Sequence, residues 1–542
     1  MKKKYLAYAA LIVLSLLAAM KMMILGMNID EEYAVTMGYR MALGDRMFLE
    51  MWEPHQMSGF VCAFFIKIFM MITHTNTYLV LYLRGIGVLI QFSLSVFAYK
   101  TLKKKYSGEL SFWAALIIFN ALPKWTLVPD FSNLLLWCSL GTMLCLFRFS
   151  LEEKKKGFWL VLGALFYCGA VLCYPSALIM FSVYFLGLWK LTKKEERRKI
   201  WIFPGICGVT GAAYVLYFLL HMSAEQFING IGQMMTDTEH TYTIMDRLWA
   251  YGTELAGFLI PLAIVLLPSL LVGKFLGKKA FGGALIFLSV LEQMGYWLGD
   301  GLYLNQPLLF FFTVYAVGFL FVKKDNALLW FGILPSGAAL LAVLILTNTM
   351  IGVSGMQLLP GMICAGLFLG EVLKEEEEKP LQRWIPKIGL LSLLALFLFA
   401  KGWLVCESGG FKADATFVKQ KALYGPAKNI YCGYLDGYGY NKLWETLENV
   451  IDSEDSILYV GKHSLRYLLF DAKISMYSTI STPTFDERLL EYWQEYPDRY
   501  PTVVITEPGQ DDFENIKGYF DFKEETLESE NMIIYFVDRK EE

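Results

Sequence analysis

An α-helical polytopic membrane protein, with about thirteen membrane-crossing helices and a small C-terminal extracytoplasmic α/β domain, is the fold class this 542-residue chain predicts. Three observations predict it. Hydrophobic side chains make up 56% of the chain and the mean hydropathy is +0.43, a balance that soluble domains rarely reach. Apolar runs near the roughly 20 residues that a bilayer core demands recur up to residue 405. Lysine and arginine gather in alternate connections between those runs, which is an orientation signal and not a nucleic-acid footprint. The net charge of −3 adds little, and no nucleic-acid partner is expected.

The first run, Tyr5–Met27, follows three lysines and ends without a small-residue cleavage site, so it reads as a retained helix. The next candidates are Thr77–Tyr99, Leu110–Leu122, Phe131–Phe147, Phe158–Cys173, Ala177–Leu191 and Ile200–His221. Leu255–Val272, Ala280–Trp297, Pro307–Val322, Ala327–Leu346, Met356–Leu373 and Ile388–Val405 complete the thirteen. With the N-terminus in the cytoplasm, connections 99–108, 148–157, 190–199, 273–279, 322–326 and 373–387 fall inside, each with at least two Lys or Arg. Connections 172–177, 299–306 and 347–355 fall outside and carry none. The acidic run Glu375–Glu378 reads as a solvated cytoplasmic face. Gly59–Thr73 is apolar but only 15 residues long, and crossing there would invert the lysine alternation. It is expected to lie in the outer interface as part of an outer loop, 28–76.

Residues 1–405 therefore form the membrane domain and 406–542 a soluble outer domain. In the latter, strand-like runs Ser456–Val460, Ile474–Tyr477, Thr502–Ile505 and Met532–Val537 alternate with helical stretches such as Phe485–Tyr496. Neither a GxGxxG nor a GxxxxGK turn occurs, so nothing marks a nucleotide site. Tyr431, Tyr434, Tyr438 and Tyr440 read first as a structural turn and second as a sugar-stacking surface. Of nine cysteines, seven lie in or beside apolar runs and behave as small apolar residues; Cys406 and Cys432 lie outside, where a disulfide is chemically open to them.

The loop 28–76 holds Asp30, Glu31, Glu32, Asp45, Glu50, Glu53 and His55. A carboxylate just beyond a membrane helix suits a general base at the bilayer surface, and Asp30 is so placed; the same position also suits the start of a helix. Asp130, after Pro129 at the outer start of a span, has the same two readings, and two outer carboxylates could share a substrate or a divalent metal ion. Cations on that side are few: Arg40, Arg46, Arg84, Lys124 and Arg247, with His55 if protonated. Arg84 lies within an apolar run, where a guanidinium needs an anion, and a phosphate would serve.

The order of a first span, Asp30-Glu31-Glu32-Tyr33, then Trp52-Glu53-Pro54-His55 before an amphipathic segment, resembles the superfamily C glycosyltransferases. The protein O-mannosyltransferases and the bacterial lipid A aminoarabinose transferases are the most similar types. Residues 75–108, with Arg84, resemble the family's second span, and residues 167–194 one of its helical pairs. The resemblance covers residues 1–200. It implies that Asp30, beside Glu31, is the catalytic base that activates the acceptor, and that Asp130 helps build the site. It implies that His55 faces the lipid phosphate; Arg84, Lys124 and Arg247, as outer cations, are candidates to bind the same phosphate, the other readings being snorkelling for Arg84 and interfacial anchoring for Lys124 and Arg247. The donor would be a polyprenyl-phosphate sugar, transferred with inversion at the outer face of the plasma membrane to an envelope glycan, lipid or protein. Two departures stand out: Gln56-Met57 replaces the usual double proline, and SGMQLLPG, with Gln357, lacks the usual basic residue. The competing readings are a transporter or flippase of lipid-linked sugars and a non-catalytic envelope assembly protein. Against a transporter, the carboxylates gather at one face and no repeat is evident.

Overall fold

The computed structural model describes residues 2–123, 126–236, 244–298, 313, 326–346, 355–372, 380–407, 410–412, 418–479, 485–507, 509–529 and 532–538. Helix α1 (Lys2–Ile24) leads into α2 (Ile29–Leu43), α3 (Gly59–Thr73), α4 (Leu79–Leu102), α5 (Gly108–Asn120), α6 (Phe131–Leu151), α7 (Lys156–Cys173) and α8 (Met180–Leu191). Then come α9 (Ile202–His221), α10 (Ala224–Thr236), α11 (Ile244–Leu276), α12 (Lys278–Leu298), α13 (Leu334–Leu346), α14 (Leu359–Val372) and α15 (Pro380–Trp403). Among the described residues eight helices are long and apolar enough to cross a membrane, and α5, α8 with its preceding turn, and the end of α15 are shorter apolar helices. The expected span Pro307–Val322, the run Glu375–Glu378 and Lys124 lie outside the described residues, and so does the side chain of Cys406.

Helix α6 is the hub of the membrane domain. Its start is set by Asp130 as N-cap, and Leu140, Met143, Leu144 and Phe147 are fully buried against its neighbours. Helix α3, including the turn before it, meets the length and composition for crossing. It also packs flat along α2: a Cβ on Gly38 would come within 2.6 Å of the Cys62 side chain, so the glycine permits the contact.

Beyond Trp403 the chain becomes α/β, as its composition predicts. Strands β1 (Val405–Glu407) and β2 (Gly410–Lys412) form one hairpin, and β3 (Val418–Lys421) and β4 (Tyr431–Gly433) a second ladder. A five-stranded sheet follows, built from β5 (Ser456–Val460), β6 (Lys473–Ile474), β7 (Val503–Thr506), β8 (Phe522–Ser529) and β9 (Met532–Val537) in the order β6-β5-β7-β9-β8. β5 runs parallel to β6 and β7, and β9 antiparallel to β7 and β8. The central strands β5 and β7 are buried along their whole length, which explains their unbroken apolar sequence. Phe485–Glu495 is the expected helix, here α17. The tyrosine-rich stretch is not a turn: Tyr431 opens β4, and Tyr434–Leu447 is helix α16, with Tyr440 buried in the domain core.

Two cores result. One fills the helical bundle. The other joins Val35 and Tyr39 of α2, Trp52, Ile66 of α3 and Leu83 of α4 to the sheet residues Leu458, Val504 and Ile534. The loop 28–76 is thus clamped between the bundle and the C-terminal domain, and it is part of a packed core.

Candidate active site

The chain leaves α1 at Gly26, and Asn28 caps α2 by accepting from the Asp30 backbone N–H at 2.8 Å. Asn28 with an acid three positions on is the sequence signature of a helix start, and it names the cap that sequence reasoning passed over. Asp30 is therefore not the cap. It sits in the first turn, half-buried, where its charge is favoured by the helix N-terminus. At the far end, Gly44 at φ 118° closes α2 with its N–H on Arg40 O at 3.1 Å, a conformation open to glycine.

Glu31 and Arg84 form a buried bidentate pair, with Arg84 Nε donating to Glu31 Oε1 at 2.7 Å and Nη2 to Oε2. The other donors hold the end of α1: Nη1 reaches Met22 O at 3.1 Å and Met23 O at 2.9 Å, and Nη2 reaches Gly26 O at 2.7 Å. All five guanidinium N–H groups are thus spent on protein acceptors. A small hollow beside the pair is lined by Lys21, Asn28, Glu31, Arg84, Thr126 and Val405, among others. Lys21 Nζ donates to Leu404 O at its rim.

Asp130 reaches the same hollow through Thr126. Its Oδ1 accepts the Asn133 backbone N–H at 2.7 Å and its Oδ2 the Thr126 hydroxyl. Asn133 Nδ2 ties down Thr126 O at 3.1 Å and Val128 O at 2.8 Å, so Asp130 both caps α6 and shapes the loop before it. That loop lies hard against α4, since a Cβ on Gly87 would fall 1.5 Å from Leu127 O. His55, at φ 61°, lays its ring on Phe131 with centroids 4.2 Å apart, and its Nδ1 lies 3.4 Å from Cys173 O. Tyr174 flanks it at 4.8 Å. The structure thus gathers Asp30, Glu31, Arg84, Asp130 and His55 at one end of the bundle. Arg247 is elsewhere: its described contact is Nη1 to Ile345 O at 3.2 Å, at the end of α13.

The remaining carboxylates of the loop hold the outer domain. Glu32, buried, accepts from His463 Nδ1 at 3.0 Å and from the Leu465 N–H at 3.4 Å. Arg40, 1% exposed, donates to Asp45 at 2.8 Å, Glu53 at 3.3 Å and Glu50 O at 2.7 Å. Asp45 also takes Arg499 at 2.6 Å, and Glu53 takes the Thr479 N–H at 3.0 Å. Burial opposes the Asp45 charge, but the two guanidiniums outweigh it and hold its carboxyl below the usual range. Burial works the other way on Glu53 and pushes its carboxyl up despite Arg40. Trp52 stacks on Tyr477 at 5.6 Å, with the Arg488 guanidinium 4.4 Å from the Tyr477 ring. The partners His463, Leu465, Arg499 and Thr479 could not be named from sequence, because each lies more than 400 positions from the carboxylate it holds.

Among the described residues no group of three or more His, Cys, Asp or Glu side chains is arranged to hold a metal ion. Asp30 sits in the first turn of α2 next to Glu31, which lines the hollow.

No family model matches the chain, and no curated protein matches it. Solved structures do. The apo oligosaccharyltransferase of Archaeoglobus fulgidus aligns at 11% identity and TM-score 0.48 over 95% of this chain and 73% of that one. The same enzyme in complex with Zn and sulfate aligns at 13% identity and TM-score 0.45 over 92% and 67%. Apo ArnT from Cupriavidus metallidurans aligns at 11% identity and TM-score 0.45 over 98% of both chains.

Proposed function

We propose that this chain is a multi-pass membrane glycosyltransferase that moves a sugar from a polyprenyl-phosphate donor to an envelope acceptor, with Asp30 as the general base. The observation that carries the reading is the placement of Asp30. It occupies the first turn of a helix that begins directly after a membrane helix, and Glu31 beside it is locked by Arg84. The sequence pattern Asp30-Glu31-Glu32-Tyr33 and Trp52-Glu53-Pro54-His55, with its resemblance to the superfamily C enzymes, supplies the reaction class. The alternating lysine loops support a cytoplasmic N-terminus, which puts this site and the outer domain on the extracytoplasmic side of the plasma membrane.

In the proposed step the acceptor's nucleophilic atom attacks the anomeric carbon, and its proton passes to the Asp30 carboxylate. The bond from that carbon to the phosphate oxygen breaks on the opposite face, so configuration inverts and polyprenyl phosphate leaves with the bonding pair. The charge growing on the phosphate needs cations at the membrane surface. His55, on its aromatic seat, is our first choice, with Lys124 beside Asp130 in sequence. Arg84 is assigned a positioning role, because its five N–H groups are already used. Asp130 is likewise assigned to shaping the loop at the site.

The test is sugar release and transfer from radiolabelled polyprenyl-phosphate sugars by the full chain in lipid nanodiscs. A folded Asp30→Asn variant is expected to lose turnover by at least about a hundredfold. Full turnover in that variant, or no turnover and no polyprenyl-phosphate binding by the wild type, would overturn the reading.

A further inference from the structure

An apolar groove of about 230 Å³ opens between α1, α4 and α5, at the end of the bundle away from α2. Its walls include Leu16, Phe92, Val96, Tyr99, Leu116 and Phe119. The lining is almost wholly hydrocarbon and aromatic. Ser95 Oγ bonds back to Ala115 O at 2.5 Å, so a small polar residue that would otherwise face the groove is satisfied within the wall.

At the end of the groove nearer α2, Asn120 Nδ2 donates to Ser15 Oγ at 2.9 Å, and the Phe92 and Phe119 rings meet edge-on at 6.3 Å. At the other end lies Tyr99, and Lys103 Nζ stands 5.5 Å from its ring centroid. The Tyr99 hydroxyl and Lys103 Cε each lie 3.9 Å from where a Cβ of Gly108, the first residue of α5, would stand. Lys100 and Lys105 are exposed on the same connection; Lys104 is paired with Glu152 at 2.5 Å, and Glu109 follows in the first turn of α5. Among the described residues no carboxylate pairs with Lys100 or Lys103. A chain-sized apolar slot thus ends at exposed cations, a tyrosine hydroxyl and a helix start.

We propose that this groove holds an acyl chain of one anionic phospholipid, its head group on Lys103 and Lys100, drawn from the leaflet opposite the candidate active site. In the orientation proposed above that is the cytoplasmic leaflet, where anionic lipids meet juxtamembrane lysines. The run from Phe92 to Tyr99 spans about 10 Å of helix, enough to seat the part of a chain nearest its head group. Ser15, at the groove's end nearer α2, lies about 13 Å of helix short of the end of α1, so this lipid is read as structural and not as substrate.

The test is native mass spectrometry of the full chain in detergent with added phosphatidylglycerol or phosphatidylcholine. The wild type is expected to keep one phosphatidylglycerol in preference to phosphatidylcholine. Lys103→Gln and Lys100→Gln should each weaken it about fivefold. Val96→Trp, at a lipid-facing position that needs no repacking, should block it while the unfolding temperature stays at the wild-type value. Equal retention of phosphatidylcholine, or phosphatidylglycerol binding untouched by Val96→Trp, would overturn the proposal. So would a Val96→Trp variant that loses polyprenyl-phosphate binding, since the groove would then be the donor's. Retention of the lipid by Asp30→Asn is expected, which keeps this outcome separate from the enzymatic one.

Discussion

Replacing Arg84 by Met separates a scaffold role from a phosphate-binding one. The guanidinium is 3% exposed and makes five hydrogen bonds, two to Glu31 and three to the last carbonyls of α1. Arg84→Met leaves the Glu31 carboxylate buried, 3% exposed, without its cation. Breaking one side of such a pair costs about 3–5 kcal/mol, more than the pair itself contributes, because the remaining charge is stranded. Two of the three orphaned carbonyls, on Met22 and Gly26, belong to residues that line the hollow, so their loss adds less. Thermal and denaturant unfolding of the full chain in detergent, followed by tryptophan fluorescence, reads the cost. Adding Glu31→Gln removes the stranded charge, and the double variant should be more stable than the sum of the single losses by about 1–3 kcal/mol. Arg84→Lys, which keeps charge but not the fork, should fall between wild type and Arg84→Met. Arg84→Met with an unchanged midpoint but abolished sugar transfer would refute the reasoning and return the arginine to the donor phosphate.

Gly87→Ala places a methyl 1.5 Å from Leu127 O, so it should displace the loop that carries Thr126 and Asp130; a loss of about 1–3 kcal/mol is expected in the same unfolding assay, and a neutral result would mean that the loop does not press on α4. Asp130→Ala removes the α6 cap and strands the Thr126 hydroxyl, for an expected cost of about 1–2 kcal/mol, with sugar transfer falling further than stability if the loop shapes the site. Because the folded pKa of Asp45 is depressed, its contribution is complete above its unfolded value of about 3.9 and disappears as the pH falls below that through the folded value. Acid titration of bundle-to-domain contact, read by fluorescence, should therefore steepen below pH about 4 in the wild type and flatten in Asp45→Asn; identical curves would remove Asp45 from the clamp.

Helix positions were legible because a bilayer imposes one length and one polarity on every span. Thr77–Tyr99 was expected and α4 is Leu79–Leu102; Phe131–Phe147 was expected and α6 is Phe131–Leu151. The outer sheet was partly legible. Its buried strands β5 and β7 are short apolar runs, whereas β8 reads FKEETLES, an edge strand whose charges hide it from a hydrophobicity argument. The tyrosine-rich segment misled because its glycines suggest a turn, yet backbone pairing and helix packing override that preference there.

By itself the sequence determined that the chain is a multi-span membrane protein with an α/β domain after residue 405, and that its ionisable residues crowd into the stretch after the first span. These follow from composition and periodicity, which each segment carries alone. Only the tertiary structure decided what the crowding is for. Glu31 is spoken for by Arg84, Glu32 by His463, Asp45 by Arg40 and Arg499, and Glu53 by Arg40 and Thr479, and Asp30 stands in the first turn of α2. A carboxylate's role depends on which cation the fold brings to it. Buried charges take the nearest partner in space, and sequence order carries almost no information about which partner that is.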